Sequence, residues 1–248
     1  SSAWRTRRWS VRSGDRLVQL SQRQTSGGVA TPYFSVKEIA DLRRQSTTLD
    51  SVFEYHEMTF TLLGGREPLR VDTGVVSANF FGALGIAPLY GRDFMDADEK
   101  SGATPVLIVS HQFWQREFKG DPDIIGRKFS MNDREHIVVG VLPPLPQFPE
   151  VVDVYMPTSA CPTRSDPRTI EDRDRHMVQV FGTLKSSATV SQAQSDLHQV
   201  AGHQHGDFPG TYKDPGHDVV LSLESEDLRR DVRPILITLG AAAGLLLL

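Results

Sequence analysis

Val75-Val-Ser-Ala-Asn-Phe-Phe-Gly-Ala-Leu-Gly-Ile-Ala-Pro-Leu-Tyr-Gly-Arg-Asp-Phe94 reads as a strand end, a short capped helix, a tight turn and an extended exit. Ser77 is the expected N-cap, because a serine oxygen can accept from a free first-turn amide. Phe80, Phe81 and Leu84 fall on one helical face. Gly85 stands where a left-handed C′ residue belongs, and Pro88 blocks continuation. None of these residues is a nucleophile, a base or a metal ligand, so the stretch is built to hold a shape.

Outward from it, the chain alternates strand-like and helix-like runs without strict order. Ser35 with Glu38 spells a capping box ahead of a helix over 36–45, with Ile39 and Leu42 inward. Residues 52–63 and 69–76 read as strands of a hairpin around Gly64-Gly65. The continuous apolar run 105–109 predicts a strand buried on both faces. Ser110 caps a helix carrying Phe113, Trp114 and Phe118, which stops at Gly120. Asn132-Asp133 between 129–131 and 137–141 signals a second hairpin. Prolines 143, 144, 146 and 149 make a stiff loop. Residues 152–156 are strand-like, and 163–175 read as an exposed loop. Residues 177–184 form a strand, Ser191 caps a helix with Ala193, Leu197, Val200 and Ala201 inward, and 219–223 is the last strand. Leu17 to Leu20 adds a short apolar run. The fold class expected is α+β.

Composition narrows the function by exclusion. The 248 residues are 39% hydrophobic and 23% charged with a net charge of −4, which gives no support to a nucleic-acid role. One cysteine, Cys161, rules out an internal disulfide and a multi-cysteine zinc site. The phosphate-loop, nucleophile-elbow and His-Glu-x-x-His patterns are absent from the sequence. His198, His203 and His205 form the densest histidine group, and read as a polar helix end rather than a chelator. Asp93, Asp96, Asp98 and Glu99 lack the order of a calcium loop and read as a solvated acidic turn. Asp172, Arg173, Asp174 and Arg175 read as a solvated loop, and His111 and Cys161 as structural. No catalytic, cofactor-binding or metal-binding residue is assigned, and no cofactor is expected.

The ends differ from the middle. Residues 234–248 carry one polar side chain, Thr238, and no charge. As a helix they would rise about 22 Å, short of the roughly 30 Å hydrocarbon core, so they read as a transmembrane helix cut short, with a buried C-terminal helix as the alternative. Residues 1–14 read as a loose basic tail rather than a membrane-surface segment, and carry no secretory h-region.

The ordered set of segments resembles the MacB-like periplasmic core domain of FtsX-like ABC-transporter permeases. The segments are Val-Ser-Ala-Asn-Phe-Phe (76–81), Leu-Gly-Ile-Ala-Pro-Leu (84–89) and Gly-Arg-Asp-Phe (91–94). They continue with Pro-Val-Leu-Ile-Val-Ser-His-Gln-Phe-Trp-Gln-Arg-Glu-Phe (105–118), Asp-Pro-Asp-Ile-Ile-Gly-Arg (121–127) and His-Ile-Val-Val-Gly-Val-Leu-Pro-Pro (136–144). Asp-Val-Tyr-Met-Pro (153–157) and Leu-Lys-Ser-Ser-Ala-Thr-Val-Ser-Gln-Ala-Gln (184–194) complete it. Trp114 and Gly-Asp-Pro (120–122) are most similar to the duplicated permeases of acidobacteria. The resemblance implies a basic tail at 1–14, a core domain over 15–228 and the start of a transmembrane helix at 229–248. Within the core it implies a porter-like lobe, about 15–95 with 176–228, and an inserted lobe, about 96–175.

It also implies a non-enzymatic extracytoplasmic domain at a bacterial inner membrane, relaying ATP-driven helix movement to export. The partners it implies are a separate ABC ATPase, a periplasmic adaptor protein, a second permease in a dimer, and lipid around the C-terminal helix. A first transmembrane helix is implied ahead of the domain, and residues 1–14 do not carry one. Arg229, Arg230 and Arg233 before the apolar run oppose this topology by the positive-inside rule, which is weak for long translocated domains. The alternative function is an FtsX-like regulatory domain that controls a cell-wall hydrolase; a soluble enzyme would need a convergent polar pocket that the sequence does not display.

Overall fold

The computed structural model describes residues 16–65 and 67–224; the basic tail and the apolar segment 234–248 lie outside the described residues. Within them one mixed 11-stranded sheet carries the whole fold. Its strands are β1 (Leu17–Arg23), β2 (Tyr33–Phe34), β3 (Leu49–Leu62), β4 (Leu69–Val76), β5 (Tyr90–Gly91), β6 (Val106–Val109), β7 (Lys128–Met131), β8 (Arg134–Val141), β9 (Val154–Pro157), β10 (Val178–Leu184) and β11 (Asp218–Leu223). The helices are α1 (Val36–Gln45), α2 (Phe80–Leu84), α3 (His111–Phe118), α4 (Pro167–Glu171) and α5 (Val190–Asp207). This is the α+β class the sequence implied.

The sheet runs β11-β1-β10-β3-β4-β9-β6-β8-β5, with β2 beside β10 and β7 beside β8. The 14-residue β3 pairs with β10 through its first half and with β4 through its second half. The path from β3 through β4, β9, β6 and β8 to β7 then closes, because Leu63 and Ser130 exchange both backbone hydrogen bonds, at 2.8 and 2.9 Å. One half of the molecule is therefore a ring of strands, and the other is an open sheet that starts from the same strand.

Side-chain alternation assigns each face. Leu107 and Val109 of β6 look into the ring with Val154 and Met156 of β9, Phe129 and Met131 of β7, and α3's Phe113 and Trp114. Val106, Ile108 and Tyr155 look the other way, onto α2. On the open half, Val18, Leu20, Val178 and Val180 face α1 and α5, where Ile39, Leu42, Leu197 and Val200 meet them. Phe53 and Phe181 point to the opposite face and join α2's cluster. Phe80 thus sits 5.5 Å from Phe53 of the open half, and Phe81 5.0 Å from Tyr155 of the ring. The quoted stretch is the seam between the two halves.

Local signals held where the chemistry is local. Ser35 and Glu38 form the expected capping box. Ser110 accepts from Phe113 N–H, and α3 ends through left-handed Lys119 and Gly120. Asn132 and Asp133, both at φ 56°, make the mirror-image turn that matches strand twist. Two caps differ from expectation. Ser77 does not cap α2: Asn79 occupies the N-cap, while Ser77 Oγ accepts from Glu54 N–H and donates to Asn79 Oδ1, tying α2 to β3 instead. On α5 the cap is Thr189, two residues before Ser191, with Gln192 completing a capping box. At the sheet edge, Gln194 donates to Val219 O and accepts from Leu221 N–H, so a side-chain amide occupies edge groups that a further strand would use.

Candidate functional site

The acidic turn 93–99 is consumed internally. Arg92 donates to both oxygens of Asp98, at 2.7 and 3.1 Å, and Met95 N–H donates to one of them. Glu99 accepts from Thr158 at 3.0 Å. Asp93 differs: burial pushes its pKa up to about 6, only partly offset by Phe94 N–H and Arg92. The histidines of α5 find separate partners, His198 with Asp218, His203 with Gln45 and His205 with Tyr212 O. Among the described residues no group of histidine, cysteine and carboxylate side chains is placed to hold a metal ion. His111 packs edge-on against Trp114, whose indole N–H donates to Asp121 O at 2.8 Å.

Cys161 lies 3.7 Å from His56 Nε2, a contact the sequence did not suggest. Burial raises the thiol and pushes His56 down to about 4, so both groups stay neutral at pH 7. Cys161 is 0% exposed. A neutral thiol sealed from solvent is not an activated nucleophile.

The densest polar constellation centres on β3 and α1. Glu54, buried at mid-β3, accepts from Arg164 at 2.7 and 3.0 Å and from Arg43 of α1 at 3.2 Å. Burial alone would raise its pKa, but Arg164, then Arg43 and His56, hold it below the usual carboxylate range. Such a fork also fixes direction, since the planar guanidinium matches both carboxylate oxygens. One turn of α1 away, Glu38 accepts from Ser35 N–H, Gln22, Tyr212 and His176. Asp41 accepts from Arg44, Arg173 and Gln204. Arg173 also lies 3.8 Å over the Phe208 ring and donates to Tyr212 Oη at 3.3 Å.

This corrects the solvated-loop expectation for 163–175 in part, since Asp172, Asp174 and Arg175 are exposed as expected. Arg164 and Thr169 are buried, residues 167–171 form α4, and Arg173 is pinned to α1. The missed signal is distributed: Glu54 and Asp41, which hold Arg164 and Arg173, lie 110 and 132 residues away in sequence, which no local spacing encodes. The arrangement holds and orients; it brings no nucleophile to an accessible pocket.

The family described as MacB-like periplasmic core domain matches residues 4–200 of this chain. Among solved structures, a domain assigned to a permease protein from Porphyromonas gingivalis superposes with a TM-score of 0.65 at 13% identity, covering 84% of this chain and 90% of that one. The periplasmic region of MacB from Actinobacillus actinomycetemcomitans gives a TM-score of 0.62 at 13% identity over 90% and 96% of the two chains. The extracellular domain of the noncanonic ABC-type transporter YknZ from Gram-positive bacteria gives 0.57 at 16% identity over 83% and 99%. At these identities the structures establish a shared fold. No curated protein matches the chain.

Proposed function

From the premise that the chain belongs to the MacB-like periplasmic core domain family, we propose that it relays ATP-driven movement of permease helices into export of a substrate on the extracytoplasmic side. The observation that carries this reading is β3. One strand is hydrogen-bonded into the open sheet by its first half and into the ring by its second half. A displacement entering one half is passed to the other along a continuous backbone, with the Phe80–Phe81 seam packed against both.

In this reading the porter-like lobe takes about 15–95 and 176–228, and the inserted lobe about 96–175. Closed, filled layers move as bodies because packed interiors resist continuous deformation. The chain works without chemistry of its own, beside a separate ABC ATPase, a second permease and a periplasmic adaptor, with residues 229–248 entering the lipid. No helix among the described residues is long and apolar enough to cross a membrane.

Because Cys161 is sealed, labels belong elsewhere. In the complete permease with its ATPase, carrying Cys161→Ser, probes go to Val29→Cys in the open half and Val151→Cys beside the ring, 89% and 69% exposed. The expected result is labelling by a membrane-impermeant maleimide in intact spheroplasts, and a probe separation that changes when ATP is supplied. An unchanged separation during continuing export would overturn the relay. A partner murein hydrolase that loses activity on deletion of the permease, with export intact, would turn the function to the regulatory alternative.

A further inference from the structure

Residues 162–176 are the return crossing from the ring to the open sheet, running from the end of the 3-10 turn after β9 to the start of β10. They cross the surface of α1. Between Cys161 and Val178 no apolar side chain is buried. The one buried residue on the way besides Arg164 is Thr169, whose hydroxyl finds no partner. Buried apolar side chains, which seat the long strands and the helices α1, α2, α3 and α5, are missing from the crossing.

What replaces it is a row of ion pairs. Arg164 holds Glu54 of β3. Glu171 meets Lys37 at 2.7 Å, Arg173 meets Asp41 at 2.6 Å, and His176 meets Glu38 at 3.2 Å. Three of these acceptors or donors, Lys37, Glu38 and Asp41, come from consecutive turns of α1. Other side chains also face these groups: Tyr212 and Gln22 at Glu38, Gln204 and Arg44 at Asp41, Arg43 at Glu54, Phe208 under Arg173, and Gln24 at His176, with Asp172 and Asp174 acting on His176 from within the crossing. Three of the four pairs are largely buried, with side-chain exposures of 9% and 1% for Arg164–Glu54, 13% and 4% for Arg173–Asp41 and 19% and 1% for His176–Glu38, whereas Lys37–Glu171 lies open to solvent at 35% and 70%.

We propose that 162–176 is a releasable strap: a charge-zipped tether, fixed at Arg164, that detaches from α1 without unfolding the ring or the open sheet and so sets how firmly the two halves are coupled. The physical ground is that the hold on α1 is polar throughout: the exposed Lys37–Glu171 pair is weak and screened by salt, and the Arg173 and His176 pairs have no buried apolar side chain of the crossing beside them. Local opening is expected where buried apolar contacts are few. The strap rests on the relay reading for its purpose, but not for its existence.

The test is hydrogen exchange on the 248-residue chain itself, with no ATPase present. In Glu171→Gln/Arg173→Gln, amides of 167–176 are expected to exchange about tenfold faster or more, the size of losing a charge-assisted hydrogen bond, while β6 and β8 stay unchanged. Raising salt to 1 M should move wild type in the same direction, and move the double variant less, since two of its four pairs are gone. Equal acceleration in β6 and β8 would make the segment part of the core, and overturn the strap. So would strap amides that ignore both the substitutions and salt. If the strap behaves as expected but the same variant exports normally in the complete permease, the relay reading fails and the strap stands.

Discussion

In the ring, β7 folds back onto Leu63 and the backbone closes on itself; in the open half, β11 is the last described strand and Gln194 covers part of its edge. The ring is filled from within, by side chains that alternate inward from its strands and by α3. The open sheet is covered from without, by α1 and α5, and those helices are in turn tied by carboxylates at Glu38, Asp41 and Asp196. Closure makes one half stiff through hydrogen bonds that cannot fray from an edge. The other half is held by the apolar seats of α1 and α5 on the sheet, together with the polar ties around α1.

The largest expected effects come from the two cores. Leu107→Ala in the ring and Leu197→Ala on α5 each remove a fully buried side chain, and each should cost about 2–5 kcal/mol in urea denaturation. The comparison breaks if both variants lose amide protection in the same residues. It sharpens if Leu107→Ala loosens β6 to β8 alone while Leu197→Ala loosens α5 and β11.

Gly74 comes second. It lies on β4 between the faces of two tyrosines, and an added Cβ would meet Tyr155 at 2.8 Å and Tyr55 at 3.0 Å. Both rings are buried, so they cannot swing aside freely. Gly74→Ala is expected to destabilise by about 1–3 kcal/mol through overpacking, with its disturbance centred where the ring joins the open sheet. Thermal unfolding followed by exchange mapping checks this; a neutral variant would mean the junction is softer than its packing implies.

The smallest effect is a pH dependence confined to the open half. Burial opposes the charge on His176, but Glu38, with Asp174 and Asp172, outweighs it and holds the imidazolium above its ordinary value. A pKa raised on folding contributes stability that is complete below the unfolded value of about 6.5, and is lost as pH rises through the folded value. Glu38 is shifted the other way: burial is outweighed by His176, Ser35 N–H and Tyr212, so its contribution fades only as pH falls through its own lowered value. The stability gap between wild type and His176→Gln should therefore be wider at pH 6 than at pH 9. A gap of constant size would remove the charge from the contact between strap and helix.

Much of the fold is legible in sequence because its signals are local or periodic. The Ser35 capping box, the Gly85 turn, the Asn132-Asp133 hairpin and the doubly buried 106–109 run each report a backbone state or a burial pattern within a few residues. The family resemblance rested on the same segments in order. Two-residue strands such as β2 and β5 escaped because they carry too few residues to show a period. The caps at Ser77 and Ser191 were misplaced because several polar residues competed for one position, and tertiary contact chose: Ser77 was taken by β3, and Thr189 already began α5.

The sequence by itself determined that this is an α+β domain with a shape-holding stretch around Phe80 and Phe81, since apolar spacing and turn residues act through neighbouring backbone. Only the tertiary structure decided that β3 serves two halves, that the ring closes at Leu63 and Ser130, and that 162–176 is fastened to α1 rather than loose in solvent. A charged residue looks the same in sequence whether its partner is water or a carboxylate more than a hundred positions away. Coulomb attraction depends on distance in space, and the chain fixes that distance only after it has folded.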